Sequence, residues 1–170
     1  VNMDWRAEGL ESVSLDGSIK LWAPQSALQV PTIETGQTQT VGLALAPDNR
    51  SIISGGSDGT VKQFSLDNLG TSFVTRLDAT LAAHDSVVLE IAVDSVHGRV
   101  CSGGRDGVLQ VTDLATGKLI STIRPESGPT PGIDFSPDGN TLLVGSTGGI
   151  SLWNPMTGER LGTYECSAIA

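Results

Sequence analysis

The sequence predicts an all-β fold built from repeated four-stranded antiparallel meanders, and three observations carry that expectation. Turn-forming residues are abundant, with 21 Gly and 8 Pro in 170 residues, whereas Lys and Glu, the usual surface residues of helices, are sparse. Four segments built around an Asp-Gly or Thr-Gly pair recur along the whole chain at similar spacing. Short runs of alternating apolar residues follow each pair, which is strand periodicity.

The four segments are Ser14-Leu15-Asp16-Gly17-Ser18-Ile19-Lys20-Leu21-Trp22, Gly56-Ser57-Asp58-Gly59-Thr60-Val61-Lys62-Gln63-Phe64, Gly104-Arg105-Asp106-Gly107-Val108-Leu109-Gln110-Val111-Thr112 and Gly145-Ser146-Thr147-Gly148-Gly149-Ile150-Ser151-Leu152-Trp153. Asp-Gly supplies two residues tolerant of positive φ, as a two-residue type I′ hairpin turn requires. Beyond the turn, Ile19 and Leu21, Leu109 and Val111, and Ile150 and Leu152 put one strand face into a core, while Gln63 breaks the pattern.

A second turn lies upstream in three copies, at Asp48-Asn49, His97-Gly98 and Asp138-Gly139, each between two short apolar runs. A third follows the aromatic-ended strand, at Asp67-Asn68, Ala115-Thr116-Gly117 and Met156-Thr157-Gly158. Strand, turn, strand, turn, strand, turn, strand makes one meander. Four short strands every 40 to 45 residues or so is the mark of a β-propeller blade. The expected units are a partial repeat over 1–30, repeats over 31–72, 73–120 and 121–160, and the start of a further blade over 161–170, with Leu161 to Tyr164 as its strand.

Here the sequence resembles the WD-repeat family. Phe135-Ser136-Pro137-Asp138-Gly139 followed by Leu142-Leu143-Val144-Gly145-Ser146 is similar to that family's first two strands, and Asp113-Leu114-Ala115-Thr116-Gly117-Lys118 to its third connection. The resemblance implies a buried polar network in each blade: a His before the first strand, a Ser or Thr in the second, the turn Asp, and the Trp ending the third. His84, Ser102 and Asp106 supply most of it in one copy, with Thr112 at the Trp position. The other copies supply less: Asp16 with Trp22, then Ser54 and Asp58 with Phe64 and no His, then Trp153 with Thr147 in place of Asp. The family usually closes a ring of seven blades and about four blades' worth is present, so a piece of a larger propeller is expected. The chain opens on Val1 rather than Met. The alternative is closure with a second copy.

Composition narrows the functions. A net charge of −9 with ten scattered cations opposes the phosphate-facing basic patch that nucleic-acid or anionic-membrane binding requires. No apolar run reaches membrane-spanning length, and no signal sequence opens the chain. Cys101 and Cys166 have no metal-ligand spacing and fit a reducing compartment, cytoplasmic or nuclear. His84 and His97 are the only histidines, and a Ser-His-Asp set drawn through Asp106 lacks a nucleophile elbow and an oxyanion loop. The Gly-rich stretch Ser54 to Gly59 lacks the Lys-Ser/Thr ending of a phosphate loop, and the Asp-rich turns lack the carboxylate spacing of a calcium loop. Asn49-Arg50-Ser51 is a glycosylation sequon only in form, because it falls in a tight turn. No catalytic, cofactor or metal site is expected.

The resemblance implies docking of other proteins or peptides on the face made by the turns between second and third strands and the segments before each first strand. Leu15, Ser57, Arg105 and Ser146 stand there, and the Arg105 guanidinium suits a carboxylate or phosphate. The expected role is a non-catalytic scaffold or adaptor in a multiprotein complex. The alternatives are the propeller portion of a larger enzyme, a purely structural propeller, or a regulatory subunit of an RNA-surveillance complex. For the last, Asp113 to Glu165 resembles the WD subunit of the superkiller complex.

Overall fold

The computed structural model describes residues 3–6, 9–22, 32–48, 50–68, 73–126, 132–146 and 149–165. Among these residues there is no helix, and sixteen strands form four separate four-stranded sheets. The first holds β1 (Met3–Arg6), β2 (Gly9–Val13), β3 (Ser18–Trp22) and β4 (Thr32–Glu34). The second holds β5 (Thr40–Leu45), β6 (Ser51–Gly56), β7 (Thr60–Asn68) and β8 (Phe73–Ala83). The third holds β9 (Val88–Asp94), β10 (Arg99–Gly104), β11 (Leu109–Asp113) and β12 (Leu119–Ile123). The fourth holds β13 (Gly132–Phe135), β14 (Leu142–Ser146), β15 (Gly149–Trp153) and β16 (Arg160–Glu165). In every sheet the strands lie side by side in chain order and all pairs are antiparallel, which is the expected meander.

The Asp-Gly turns differ from the expected two-residue form. Gly104 N–H donates to Val108 O at 3.0 Å and Gly107 N–H to Gly104 O at 3.1 Å, so three residues, Arg105 to Gly107, make the loop. Ser14 to Ser18 repeats the pattern. Only the last loop position then needs the left-handed region, and Gly17, Gly59 and Gly107 occupy it at φ 84°, 82° and 75°. The Asp is released to accept the N–H two residues on: Ser18 to Asp16, Thr60 to Asp58 and Val108 to Asp106, each at 3.0 or 3.1 Å.

Two expected boundaries also move. Asp67 and Asn68, read as a turn, belong to β7 and pair with Val74 and Phe73 of β8. Leu161 to Tyr164, expected to open a further blade, lie in β16, which pairs with β15 and completes the fourth sheet. The sequence period and the sheets are thus out of phase by one strand: β4 and β8 each lie in the expected unit that follows the rest of their sheet.

Three apolar cores separate the four sheets. Ile19 and Ile33 of the first sheet pack with Leu43, Ile52 and Phe64 of the second. Ala44, Ile53, Val61 and Leu81 of the second meet Val88, Ile91 and Val100 of the third. Cys101, Leu109, Val111 and Ile123 of the third meet Ile133, Phe135, Leu142, Val144 and Trp153 of the fourth. In the second and third sheets, alternation along the strands feeds two neighbouring cores, which is how a sheet is buried on both faces.

Candidate partner-binding face

The segments that lead from one sheet to the next tie the Asp-Gly turns of two sheets together. Thr35 donates to Gly17 O through its hydroxyl at 2.7 Å and its N–H at 3.3 Å, and Gln39 O accepts Ser57 N–H at 2.9 Å. The next segment repeats this, with His84 N–H to Gly59 O and Arg105 N–H to Val87 O, both at 2.8 Å. Paired loop backbone at one end of adjacent sheets gives a rigid platform for exposed side chains.

Beneath this platform the third sheet brings together three of the residues singled out in the sequence. His84 Nε2 lies 2.8 Å from Ser102 Oγ, and its Nδ1 faces Asp106 Oδ2 at 3.5 Å. Asp106 also accepts Asp85 N–H at 3.1 Å. His84 and Ser102 are buried. Burial lowers the pKa of the imidazole against the opposing pull of Asp106, so the ring is neutral in the fold near pH 7. His84 Nδ1 and the hydroxyl of buried Thr112 find no hydrogen-bond partner among the described residues. Thr112 stands where an indole would reach further, and its short side chain does not meet Ser102.

The second sheet has a residue that the sequence reading missed. Gln37 occupies the corner that His84 occupies in the next sheet: Ser54 Oγ donates to Gln37 Oε1 at 2.9 Å, and Gln37 Nε2 donates to Thr60 O at 2.8 Å and Thr60 Oγ1 at 3.0 Å. Thr60 Oγ1 passes the chain on to Asp58 Oδ1 at 2.8 Å. The signal was spacing, since Gln37 precedes Ser54 much as His84 precedes Ser102.

The remaining network residues act locally. Asp16 takes Ser18 Oγ at 2.6 Å and Ser18 N–H at 3.0 Å, bonds that hold its carboxyl below the ordinary range. Trp22 ends β3, and its side chain lies outside the described ones, as does all of Thr147. Trp153, expected to reach the second strand, instead donates to Ser151 Oγ of its own strand at 2.8 Å. Val144, which sits where Ser54 and Ser102 sit, brings no side-chain acceptor, and its carbonyl instead accepts Ser151 Oγ at 3.4 Å.

Of the four candidate contact residues, Leu15 and Arg105 are exposed at their loops, and the Arg105 side chain makes no hydrogen bond or ion pair among the described residues. Ser57 is half-buried, and half-buried Ser146 donates to Gly149 O at 3.0 Å. Two of the four are therefore free for a partner.

The opposite end holds a cluster with no counterpart in the sequence reading. Buried Arg99 donates through Nε to Asp94 Oδ2 at 2.8 Å, through its terminal nitrogen to the same oxygen, and across the sheet boundary to Gly139 O. Its guanidinium lies 5.8 Å from the Phe135 ring centre. His97 Nδ1 lies 2.9 Å from Asp94 Oδ2. Burial works against the charge of Asp94, but hydrogen bonds from Arg99, Val96 and His97 outweigh it and hold the carboxyl below its usual value. The pair joins the third sheet to the fourth. Among the described residues no group of three or more His, Cys, Asp or Glu is placed to hold a metal, and no helix is long and apolar enough to cross a membrane.

The family described as WD domain, G-beta repeat matches residues 29–65 and 117–154. The chain is 26% identical over 145 residues to the intraflagellar transport protein 80 homolog of Mus musculus, covering 84% of this chain and 17% of that protein. It is 24% identical over 135 residues to WD repeat-containing protein SL1-17 of Schistosoma mansoni, covering 79% and 42%. A shorter stretch of 80 residues, 46% of this chain and 24% of the relative, is 38% identical to the small ribosomal subunit protein RACK1z of Arabidopsis thaliana. The chain thus spans well under half the length of these relatives. Among solved structures, the computationally designed Ika8 protein superposes with a TM-score of 0.74 at 23% identity, over 95% of this chain and 48% of that one.

Proposed function

We propose, from the premise that this chain carries WD repeats folded as propeller blades, that it is a non-catalytic scaffold holding other proteins or peptides on its Asp-Gly turn end. The observation that carries the reading is Arg105. Its backbone is pinned to Val87 while its guanidinium stands free in solvent, so a carboxylate or phosphate can be met with little ordering cost. Leu15 offers an exposed apolar contact at the same end of the first sheet. The relatives' names include an intraflagellar transport protein, a CCR4-associated factor homolog and a small ribosomal subunit protein, which supports a place in a large assembly. A free, buried Cys101 fits a reducing cytoplasmic or nuclear setting.

The test is capture of partners by Arg105→Ala beside the unaltered chain, with thermal unfolding as the control for folding. Reduced capture at an unchanged melting temperature is expected. Equal recovery of partners by both forms rejects the assignment of Arg105.

A further inference from the structure

The second sheet has an outer edge unlike those of the other three. The first strands of the sheets pack together on the inner side, so each sheet ends at the outer side in a fourth strand, one edge of which no described strand pairs. Those fourth strands are three, five and six residues long in β4, β12 and β16, and eleven in β8. The second sheet lies between the first and the third, so the free edge of β8 follows from the meander itself. Such an edge offers N–H and C=O groups at strand spacing, and another extended backbone matches that row.

Side chains decide which backbone that is. An edge guarded by charges of one sign repels a copy of itself. β8 instead carries both signs placed symmetrically, with Arg76 and Asp78 on either side of Leu77. Arg76 Nη2 lies 2.9 Å from Asp78 Oδ1, which also accepts Ser65 Oγ at 3.2 Å, and the Arg76 side chain is 75% exposed. The register against β7 shifts at Asp78, but these contacts keep its carboxylate on the Arg76 face. Leu77 pairs with buried Phe64, and so stands on the other face, yet is 50% exposed. Laid antiparallel against itself about Leu77, this strand sets Arg76 of each copy opposite Asp78 of the other, and Leu77 opposite Leu77.

We infer that the outer edge of β8 is an interface for a second copy of this chain, two antiparallel β8 strands meeting about Leu77 with Arg76 of each against Asp78 of the other. The same patch serves on both copies, so the contact closes at two. Because the paired strands run antiparallel, the Asp-Gly turn ends of the two copies point in opposite directions.

The experiment is sedimentation equilibrium of the 170-residue chain over a wide concentration range. A monomer–dimer equilibrium is expected. Arg76→Asp and Asp78→Arg should each weaken it several-fold, since each sets like charges against one another, and Leu77→Lys should do the same on the other face. All three should keep the strand circular dichroism of the unaltered chain. An equimolar mixture of the Arg76→Asp and Asp78→Arg chains should form mixed dimers, in which every charge meets its opposite. Neither chain in that mixture holds its own pair between residues 76 and 78, so recovery reads the contact between copies. A monomer at all concentrations, association that grows beyond two chains, or association indifferent to the three substitutions overturns the inference. A mixture of the two reversals that stays monomeric overturns the antiparallel pairing about Leu77.

Discussion

The second and third sheets solve one problem with different side chains. Each must fill the buried corner between the segment that enters the sheet, the Ser of its second strand and its Asp-Gly turn. In the second sheet Gln37 does this with both ends of its amide occupied, by Ser54 at the oxygen and Thr60 at the nitrogen. In the third, His84 binds Ser102 well, but its other nitrogen faces Asp106 without a hydrogen bond, and Thr112 keeps an orphan hydroxyl. The comparison teaches that the corner needs a polar side chain with two opposed functions rather than a histidine. A satisfied amide serves, and an imidazole serves with one function underused.

Removing the better-satisfied corner should cost more. Gln37→Ala strands Ser54 Oγ and leaves a void, and a loss of about 2 to 4 kcal/mol is expected from the denaturation midpoint at constant slope. Asp106→Ala, in the looser corner, should cost about 1 to 3 kcal/mol, because Asp85 and Val108 N–H lose their acceptor along with the charge facing His84. An unchanged midpoint for Asp106→Ala would show that the corner stands without its carboxylate.

The smallest difference is in pH. His84 has its folded pKa lowered from 6.5 by burial, so the unfolded chain binds the proton more readily. The stability this confers is fully present above pH 6.5 and declines as pH falls through that value toward the folded pKa. His84→Gln, which copies the second sheet, should flatten the dependence of the melting temperature between about pH 7 and pH 5. An identical slope in both forms would mean that the ring does not gain its proton on unfolding.

Turn chemistry made the meanders legible, because Asp-Gly pairs and alternating strands are local signals. The phase of the repeats was less so: β16 pairs backward onto β15, and a strand's partner is a tertiary choice that the strand does not spell. Gln37 was hidden by residue type, since the search was for a histidine and the position accepts any side chain with a donor and an acceptor. The bond from Arg99 to Gly139 was illegible for another reason. It joins the first residue of β10 to a turn forty residues on, and that turn reads as an ordinary surface loop. Trp153 shows the reverse: the residue was found, but its hydrogen bond stays within its own strand, where Val144 across from Ser151 brings no side-chain acceptor.

Cys101 lies wholly buried where the third and fourth sheets meet, and burial pushes its thiol far above the range in which a reactive thiolate forms. A labelling reagent can reach it only when those two sheets part. The molecule thus carries a chemical clock at that seam, and the slow step in modifying Cys101 is the opening of one sheet from the next.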